Sequence, residues 1–84
     1  MYEDRLSPSD KTLLILHNLC ATHQDMAKRS DELAQVLQRD INEVNQILSK
    51  HEADGYVRSL VDNEGNRRYY LTNVGIIRVC SIFT

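Results

Sequence analysis

Residues 30–55 read SDELAQVLQRDINEVNQILSKHEADG, and this segment predicts two helices separated by a very short turn. Ser30 can cap the first helix, since a serine hydroxyl accepts a hydrogen bond from a free backbone amide at a helix start. Asp31 and Glu32 follow as the acids that the helix dipole favours in a first turn. Because apolar residues recur through the positions that follow, we predict a helix over residues 30–37.

A second helix is predicted only two residues later. Asp40 and Glu43 have the three-residue spacing of a capping box, in which each side chain accepts a hydrogen bond from the other residue's amide. Apolar residues then recur at the three- and four-residue steps of a buried helical stripe, and they are Ile41, Val44, Ile47 and Leu48. Gly55 stands where a left-handed residue commonly ends a helix, so the predicted helix spans residues 40–54.

Upstream of this pair, Ser7 and Pro8 predict another helix start, because serine suits the cap and proline suits the first helical position. We predict that this helix spans residues 9–21. Its apolar residues cover most of its circumference, so we expect it to have two packing partners. The polar segment 22–29 is expected to be a loop with at most a short edge strand.

Downstream, two β-rich runs at residues 56–61 and 67–71 flank five residues of turn-forming type. This arrangement predicts a β-hairpin over residues 56–71. Thr72 can cap a last helix, predicted over residues 72–84, whose apolar side chains point in nearly every direction.

The order helix, short helix, tight turn, helix, hairpin, helix resembles the winged helix-turn-helix family of transcription regulators. The resemblance covers about residues 9–84, and its most specific parts are SDELA at 30–34, GYV at 55–57 and NRRYYLT at 66–72. It implies an α+β, mostly α, fold in a single domain over residues 1–84. It also implies that the second helix of the motif lies in the DNA major groove, and that the hairpin, or wing, contacts the DNA backbone or the minor groove.

Independently of that resemblance, the second helix of the motif has a polar side suited to base edges. Four residues fall there, opposite the apolar stripe: Asn42, Asn45, Gln46 and Ser49. Asparagine and glutamine both donate and accept, which matches the N6 and N7 edge of adenine, and Lys50 at the flank suits a phosphate. The side has no arginine and lies next to Glu43, so an exposed face that is merely solvated remains an alternative.

The wing supplies two candidate phosphate contacts, Arg67 and Arg68. They lie in a segment, residues 65–84, that carries three arginines and no acid, whereas residues 1–64 carry a net charge of −5. Since neighbouring strand residues point to opposite faces, we expect one of the two to contact a phosphate or the minor groove. The other can pair with Asp62 or Glu64.

Three further basic residues are candidate phosphate contacts near the helix-turn-helix. They are Arg39 in its turn and Lys28 and Arg29 just before its first helix. A helix N-terminus also favours anions, which supports a phosphate at this position. The alternative is that these bases only offset nearby acids, namely Asp25, Asp31 and Glu32.

The first and last helices are more apolar than a small monomeric domain needs, so we predict a homodimer in which they form the interface. The expected interface residues are Leu14, Ile15, Ile77, Cys80 and Phe83. A two-fold dimer would hold two recognition helices about 34 Å apart and would therefore bind a palindromic DNA site. The alternative is that the last helix covers the core of its own domain.

The two cysteines, Cys20 and Cys80, lie in the same two helices. We expect them to be small buried hydrophobes; the alternatives are a disulfide, within a chain or between subunits, and a redox switch. His17 and His23 flank Cys20, but the two histidines project in different directions and no second cluster completes a tetrahedral set. No metal is therefore predicted.

Several function classes are disfavoured by what the sequence lacks. Its longest apolar run, residues 13–16, is far shorter than the roughly 18–20 residues of a membrane span, so we expect no membrane partner. No secretion signal precedes this run, so we expect a cytoplasmic protein. No phosphate loop or nucleophile elbow is present, so no enzyme and no cofactor is expected. The predicted function is sequence-specific binding of double-stranded DNA by a homodimeric transcription regulator; the alternative is a winged-helix module that binds protein.

Overall fold

The computed structural model describes residues 6–82 as four α-helices and a three-stranded sheet. In chain order the elements are α1 Pro8–Asn18, a 3-10 turn Gln24–Met26, β1 Lys28–Arg29, α2 Ser30–Leu37, α3 Ile41–Ala53, β2 Val57–Val61, β3 Arg67–Leu71 and α4 Asn73–Ile82. The sheet is antiparallel and has the order β1-β3-β2. The predicted α+β, mostly helical, winged helix-turn-helix arrangement is confirmed.

Helix α1 begins as predicted but ends earlier. Pro8 is its first residue, preceded by the Ser7 cap. Its last regular residue is Asn18, because Cys20 adopts a left-handed backbone with φ of 59°. The Cys20 amide donates to the His17 carbonyl at 3.0 Å, and the next amide, that of Ala21, donates to the Leu16 carbonyl at 2.9 Å. These two bonds form a Schellman cap, which ends the helix before residue 21.

The cap of helix α2 differs from the prediction. Arg29, the last residue of β1, is the cap, and Ser30 lies inside the helix. The reason is that pairing with β3 keeps the backbone extended as far as Arg29, which has φ −75° and ψ 154°. The Glu32 carboxylate accepts a hydrogen bond from the Arg29 amide at 3.3 Å, so the acid predicted for the first turn does bind the helix start.

Helix α3 begins after Asp40, as predicted, but without the predicted capping box. The Asp40 side chain caps no amide, and the Glu43 carboxylate accepts from the Arg39 guanidinium at 3.5 Å. An ion pair on the surface has replaced the return bond to the backbone. The predicted end is confirmed, because Gly55 follows the helix with φ of 83°.

The wing turn is organised by Asp62. Its Oδ1 accepts hydrogen bonds from the amides of Glu64 and Asn66, both at 2.9 Å, and Gly65 supplies the left-handed residue with φ of 83°. Tyr69 and Tyr70 in β3 point to opposite sheet faces, since Tyr69 is buried and Tyr70 is only half-buried.

The core lies where α1 meets the other elements. Its most buried large side chains are Leu13, Leu16, Leu33, Val44, Leu48, Val57, Leu71 and Val79. Helix α1 contacts α2, α3, α4 and β3, so its broad apolar surface is used within one chain. Leu14, which the sequence analysis assigned to a dimer interface, belongs to this core, and Ile15 packs against its edge. The burial of Leu14 and Ile15 therefore does not require a second copy of the chain.

The junction between α3, the wing and α4 is closely packed. The Thr72 hydroxyl caps α4, accepting from the Gly75 amide at 3.1 Å, and it donates to the Gly55 carbonyl at 2.6 Å. The Thr72 amide donates to the Tyr56 carbonyl at 3.0 Å. A Cβ at position 75 would overlap that same carbonyl oxygen, so only glycine allows this approach.

Helix α4 keeps part of its apolar surface exposed. Val74 is 53% and Ile77 68% exposed, whereas Val79 is buried against the core. Cys80 is exposed and free, and so is Cys20 at the end of α1; the predictions that the cysteines are buried or bonded within the chain are therefore wrong. Phe83 lies outside the described residues. No helix in the described part of the chain is long and apolar enough to cross a membrane.

Candidate nucleic-acid interface

An open groove of about 560 Å³ lies between α3 and the wing. Its walls come from the start of α2, one side of α3 and the wing strand β3. The lining residues are Arg29, Ser30, Asp31, Ile41, Asn45, Ser49, Asn66, Arg67 and Tyr69. We call this feature the α3–wing groove.

The polar side of α3 is exposed, as its sequence predicted. We use the name polar face for Asn42, Asn45, Gln46 and Ser49, all of which are exposed. Asn45 and Ser49 line the groove, while Lys50 lies exposed at the far edge of the helix. The opposite side is buried through Val44 and Leu48. These positions put amide and hydroxyl groups on the accessible side of a helix whose other side is fixed in the core.

Ile41 is not buried, and this prediction was wrong. It is the first residue of α3 and 40% exposed. The stripe that enters the core consists of Val44, Leu48 and His51, and Ile41 lies on its edge, rotated toward the groove that Asn45 and Ser49 also line. An apolar side chain therefore belongs to the candidate interface, which sequence reasoning had missed.

His51 fixes the C-terminal end of α3 against α1. The ring is 4% exposed, and its Nε2 lies 2.9 Å from the Ser9 carbonyl oxygen and 3.1 Å from the Ser9 hydroxyl oxygen. Its ring centroid is 5.7 Å from that of Tyr56. His51 thus joins two helices and helps to orient the polar face.

The two wing arginines have different environments. Arg68 is held by the protein: its Nε lies 2.7 Å from the Asp62 carboxylate, and its Nη1 lies 3.5 Å from Glu32 and 3.4 Å from the Ala27 carbonyl oxygen. This hydrogen bond from Arg68 is the largest cause that lowers the pKa of Asp62, and the turn amides lower it further. The predicted pairing of one wing arginine with Asp62 is confirmed, and Arg68 is the member that pairs.

Arg67 is exposed and lines the groove. Its Nη1 donates to the Ser59 hydroxyl at 2.9 Å, and that hydroxyl donates to the Glu52 carboxylate of α3 at 2.6 Å. This chain orients the guanidinium beside α3 without a direct ion pair to an acid of the described chain. Arg67 is therefore the wing arginine that faces outward beside the polar face.

The other predicted phosphate contacts differ in their availability. Arg29 pairs with Asp31 and Glu32, both at 3.2 Å, which is the offsetting role given above as an alternative. Arg39 pairs more loosely with Glu43 at 3.5 Å on the surface. Lys28 and Lys50 form no ion pair with another described residue, and Lys28 lies directly opposite Tyr69 in the sheet, on the groove side.

A larger open hollow of about 820 Å³ lies at the base of the wing. It extends from His23 across Arg58 and Tyr70 to Val74, and it includes none of the polar face. Arg58 is exposed on the sheet face turned away from the groove, since its neighbours in β2 face the other way. Within residues 6–82, no three His, Cys, Asp or Glu side chains are grouped so that they could hold a metal ion.

Solved structures with the same fold include transcription regulators. MepR, a regulator of the Staphylococcus aureus multidrug efflux pump MepA, aligns with a TM-score of 0.79 at 25% identity over 92% of this chain and 54% of its own. An S. aureus MepR–DNA complex aligns with a TM-score of 0.76 at 27% identity over 96% of this chain and 66% of its own. TubR from Bacillus megaterium aligns with a TM-score of 0.76 at 22% identity over 92% of this chain and 86% of its own.

No family model and no curated protein matches the chain. It spans about half the length of the first MepR structure, of which it covers 54%. The structural likeness nevertheless covers 92–96% of this chain in these three structures and agrees with the element order described above. The chain has the winged helix-turn-helix fold.

Proposed function

We propose that this winged helix-turn-helix chain binds double-stranded DNA in a sequence-specific manner and acts as a homodimeric transcription regulator, with α3 in the major groove and the wing on the backbone or in the minor groove. The observation that carries the proposal is the α3–wing groove, which brings the Asn45 amide and the Ser49 hydroxyl beside the Arg67 guanidinium. The likeness to MepR, whose complex with DNA is among the similar structures, supports it.

The shape of the exposed surface suits a duplex. A major groove of about 12 Å admits one α-helix, and side chains on the outer face of that helix reach the base edges. Among residues 6–82, no element other than the wing at its side lies beside the exposed polar face of α3. The amides of Asn42, Asn45 and Gln46 can each donate and accept, so they can form paired hydrogen bonds with an adenine edge.

The phosphate contacts that we propose are few. Arg67 and Lys28 on the groove side, and Lys50 at the far edge of α3, form no ion pair with another described residue. Three such contacts in each subunit make six in a dimer, and six predict a loss of affinity of about a thousandfold between 50 and 200 mM salt. Arg39 is not counted among these contacts, because it pairs with Glu43 at 3.5 Å.

Dimerisation through α4 is supported by its exposed apolar side chains. Val74 and Ile77 lie one turn apart and both face solvent in a single chain, and Cys80 continues the same side of the helix. Covering this side by its two-fold copy would double the phosphate contacts on one duplex. We therefore retain Ile77 and Cys80 from the predicted interface and assign Leu14 to the core.

Fluorescence anisotropy with labelled duplex DNA tests the proposal. A pool of selected duplexes should bind at 50 mM salt, and Arg67→Ala should weaken binding about tenfold, as expected for one charge-assisted hydrogen bond. Arg58→Ala is the matched control, since it removes an exposed arginine from the other face of the same wing. The absence of binding at 50 mM salt, or equal losses in both variants, would contradict the proposal.

The alternative is a winged-helix module that binds protein. It is favoured by the exposed Ile41 and by the lack of arginine on the polar face. It predicts no saturable binding to any duplex at low salt, so the same titration separates the two functions.

A further inference from the structure

We propose that α3 recognises A·T base pairs, with Ile41 in contact with a thymine methyl group and Asn45 bonded to an adenine. This inference rests on the proposed DNA binding and adds the chemistry of the site. It commits to two side chains with separate partners, so it can fail while DNA binding stands.

Ile41 lies where a base-contacting residue is expected. As the first residue of α3, it lies at the end of the helix that contacts base edges in helix-turn-helix proteins. Asn45 and Ser49 follow at intervals of one turn on the same side, and all three line the α3–wing groove. Ile41 is 40% exposed although Val44 and Leu48 beside it are fully buried. An isoleucine is thus presented at the opening of a polar groove.

The base edges of an A·T pair match these two side chains. In the major groove only thymine carries a methyl group, and apolar side chains recognise it by contact. Adenine presents an acceptor and a donor side by side, which an asparagine amide matches with two hydrogen bonds. Ile41 and Asn45 together offer a partner for each base of an A·T pair.

The polar face lacks the side chains that usually bind guanine. Guanine is read chiefly by the fork of an arginine or by a lysine, and the exposed side of α3 between Ile41 and Ser49 carries neither. Lys50 lies at the other edge and toward the far end of the helix, and Arg39, before the helix, pairs with Glu43 at 3.5 Å. Glu43, which could accept from a cytosine amine, is occupied by that pair.

The separation of Ile41 and Asn45 along α3 also limits the distance between the two bases that they contact. Ile41 and Asn45 are separated by four residues, or about 6 Å along the helix axis, and successive bases of one strand are about 3.4 Å apart. The thymine and the adenine should therefore lie within two base pairs of each other in each half-site.

The experiment begins with selection of binding duplexes from a random pool, followed by replacement of single thymines with deoxyuridine, which removes only the methyl group. In the wild-type chain one position in each half-site should lose about fourfold in affinity, the value of one buried methyl group. Ile41→Ala should remove this sensitivity, so that thymine and uracil duplexes bind equally. Val36→Ala is the control, since Val36 is 51% exposed on α2 and outside the groove.

The outcomes test the A·T assignment and DNA binding separately. Selected half-sites rich in G·C pairs, or a deoxyuridine effect that persists in Ile41→Ala, would overturn the A·T assignment and leave DNA binding in place. No binding to any duplex would overturn both. If Ile41→Ala loses its helical circular dichroism, Ile41→Val replaces it; a deoxyuridine effect between one- and fourfold then supports the contact, and an unchanged effect overturns it.

Discussion

Replacing Gly75 with alanine should destabilise the protein although alanine is the better helix former. Gly75 lies in the first turn of α4, and a Cβ there would overlap the Tyr56 carbonyl oxygen and approach the Leu71 Cδ2 to 2.9 Å. Leu71 can rotate its terminal methyl, but the Tyr56 carbonyl is backbone and already accepts from the Thr72 amide at 3.0 Å. The overlap can be relieved only if α4 moves away from the end of α3.

The magnitude follows from three contributions. Alanine stabilises a helix interior by about 1 kcal/mol relative to glycine. Against this, forcing a methyl group into a close contact costs about 1–3 kcal/mol, and loss of the bond between Thr72 and Tyr56 costs about 1 kcal/mol more. The free energy of unfolding should therefore fall by about 2 kcal/mol, which in a domain of this size lowers the melting temperature by about 10 °C.

Urea unfolding followed by helical circular dichroism measures this loss at a fixed protein concentration. Asn73→Ala is the matched control, because it changes an exposed residue in the same turn and should alter stability by less than about 0.5 kcal/mol. A Gly75→Ala variant as stable as the wild type, or more stable, would refute the close approach of α4 to Tyr56.

Three further predictions concern other parts of the molecule. Cys20→Gly should raise the free energy of unfolding by about 0.5–1 kcal/mol, because the relief of left-handed backbone strain outweighs the greater flexibility that glycine gives the unfolded chain. Cys20→Ala keeps that strain and should show no such gain in urea unfolding. Arg68 lowers the pKa of Asp62, so the ionised Asp62 stabilises the wing above its ordinary pKa of 3.8, and this stabilisation is lost as the pH falls through the lowered pKa. Asp62→Asn should reduce this acid dependence of unfolding. Ile77→Glu should convert a dimer to the 9.7 kDa monomer in sedimentation, whereas Val36→Glu should not.

The helix-turn-helix was predictable because its signals are local. The period of the apolar residues in α2 and α3, the acids of the first turn and Gly55 all act within a few residues of the backbone they organise. The predicted range 30–37 accordingly coincides with Ser30–Leu37, and the predicted 40–54 differs from Ile41–Ala53 by one residue at each end.

The features that the sequence did not predict depend on distant contacts. Arg29 replaces Ser30 as a cap because β1 pairs with β3, some forty residues later in the chain. The sequence does not decide which of Arg67 and Arg68 faces outward, since this depends on which sheet face the helices cover. The exposure of Ile41 and Cys80 follows from the rotation at which each helix packs, and a wide apolar pattern leaves that rotation undetermined.

The net charge of −2 gives little information about DNA binding once the charges are placed. At physiological salt the screening length is about 8 Å, and the described protein extends over 38 by 26 by 21 Å, so acids far from the groove contribute little field there. Asp10 pairs with Arg78 across α1 and α4, and Asp62 pairs with Arg68 beneath the wing. The acid that lines the groove, Asp31, is itself paired with Arg29. What a phosphate would meet at the α3–wing groove is therefore the outward-facing Arg67, which forms no direct ion pair with a described acid although the chain as a whole is acidic.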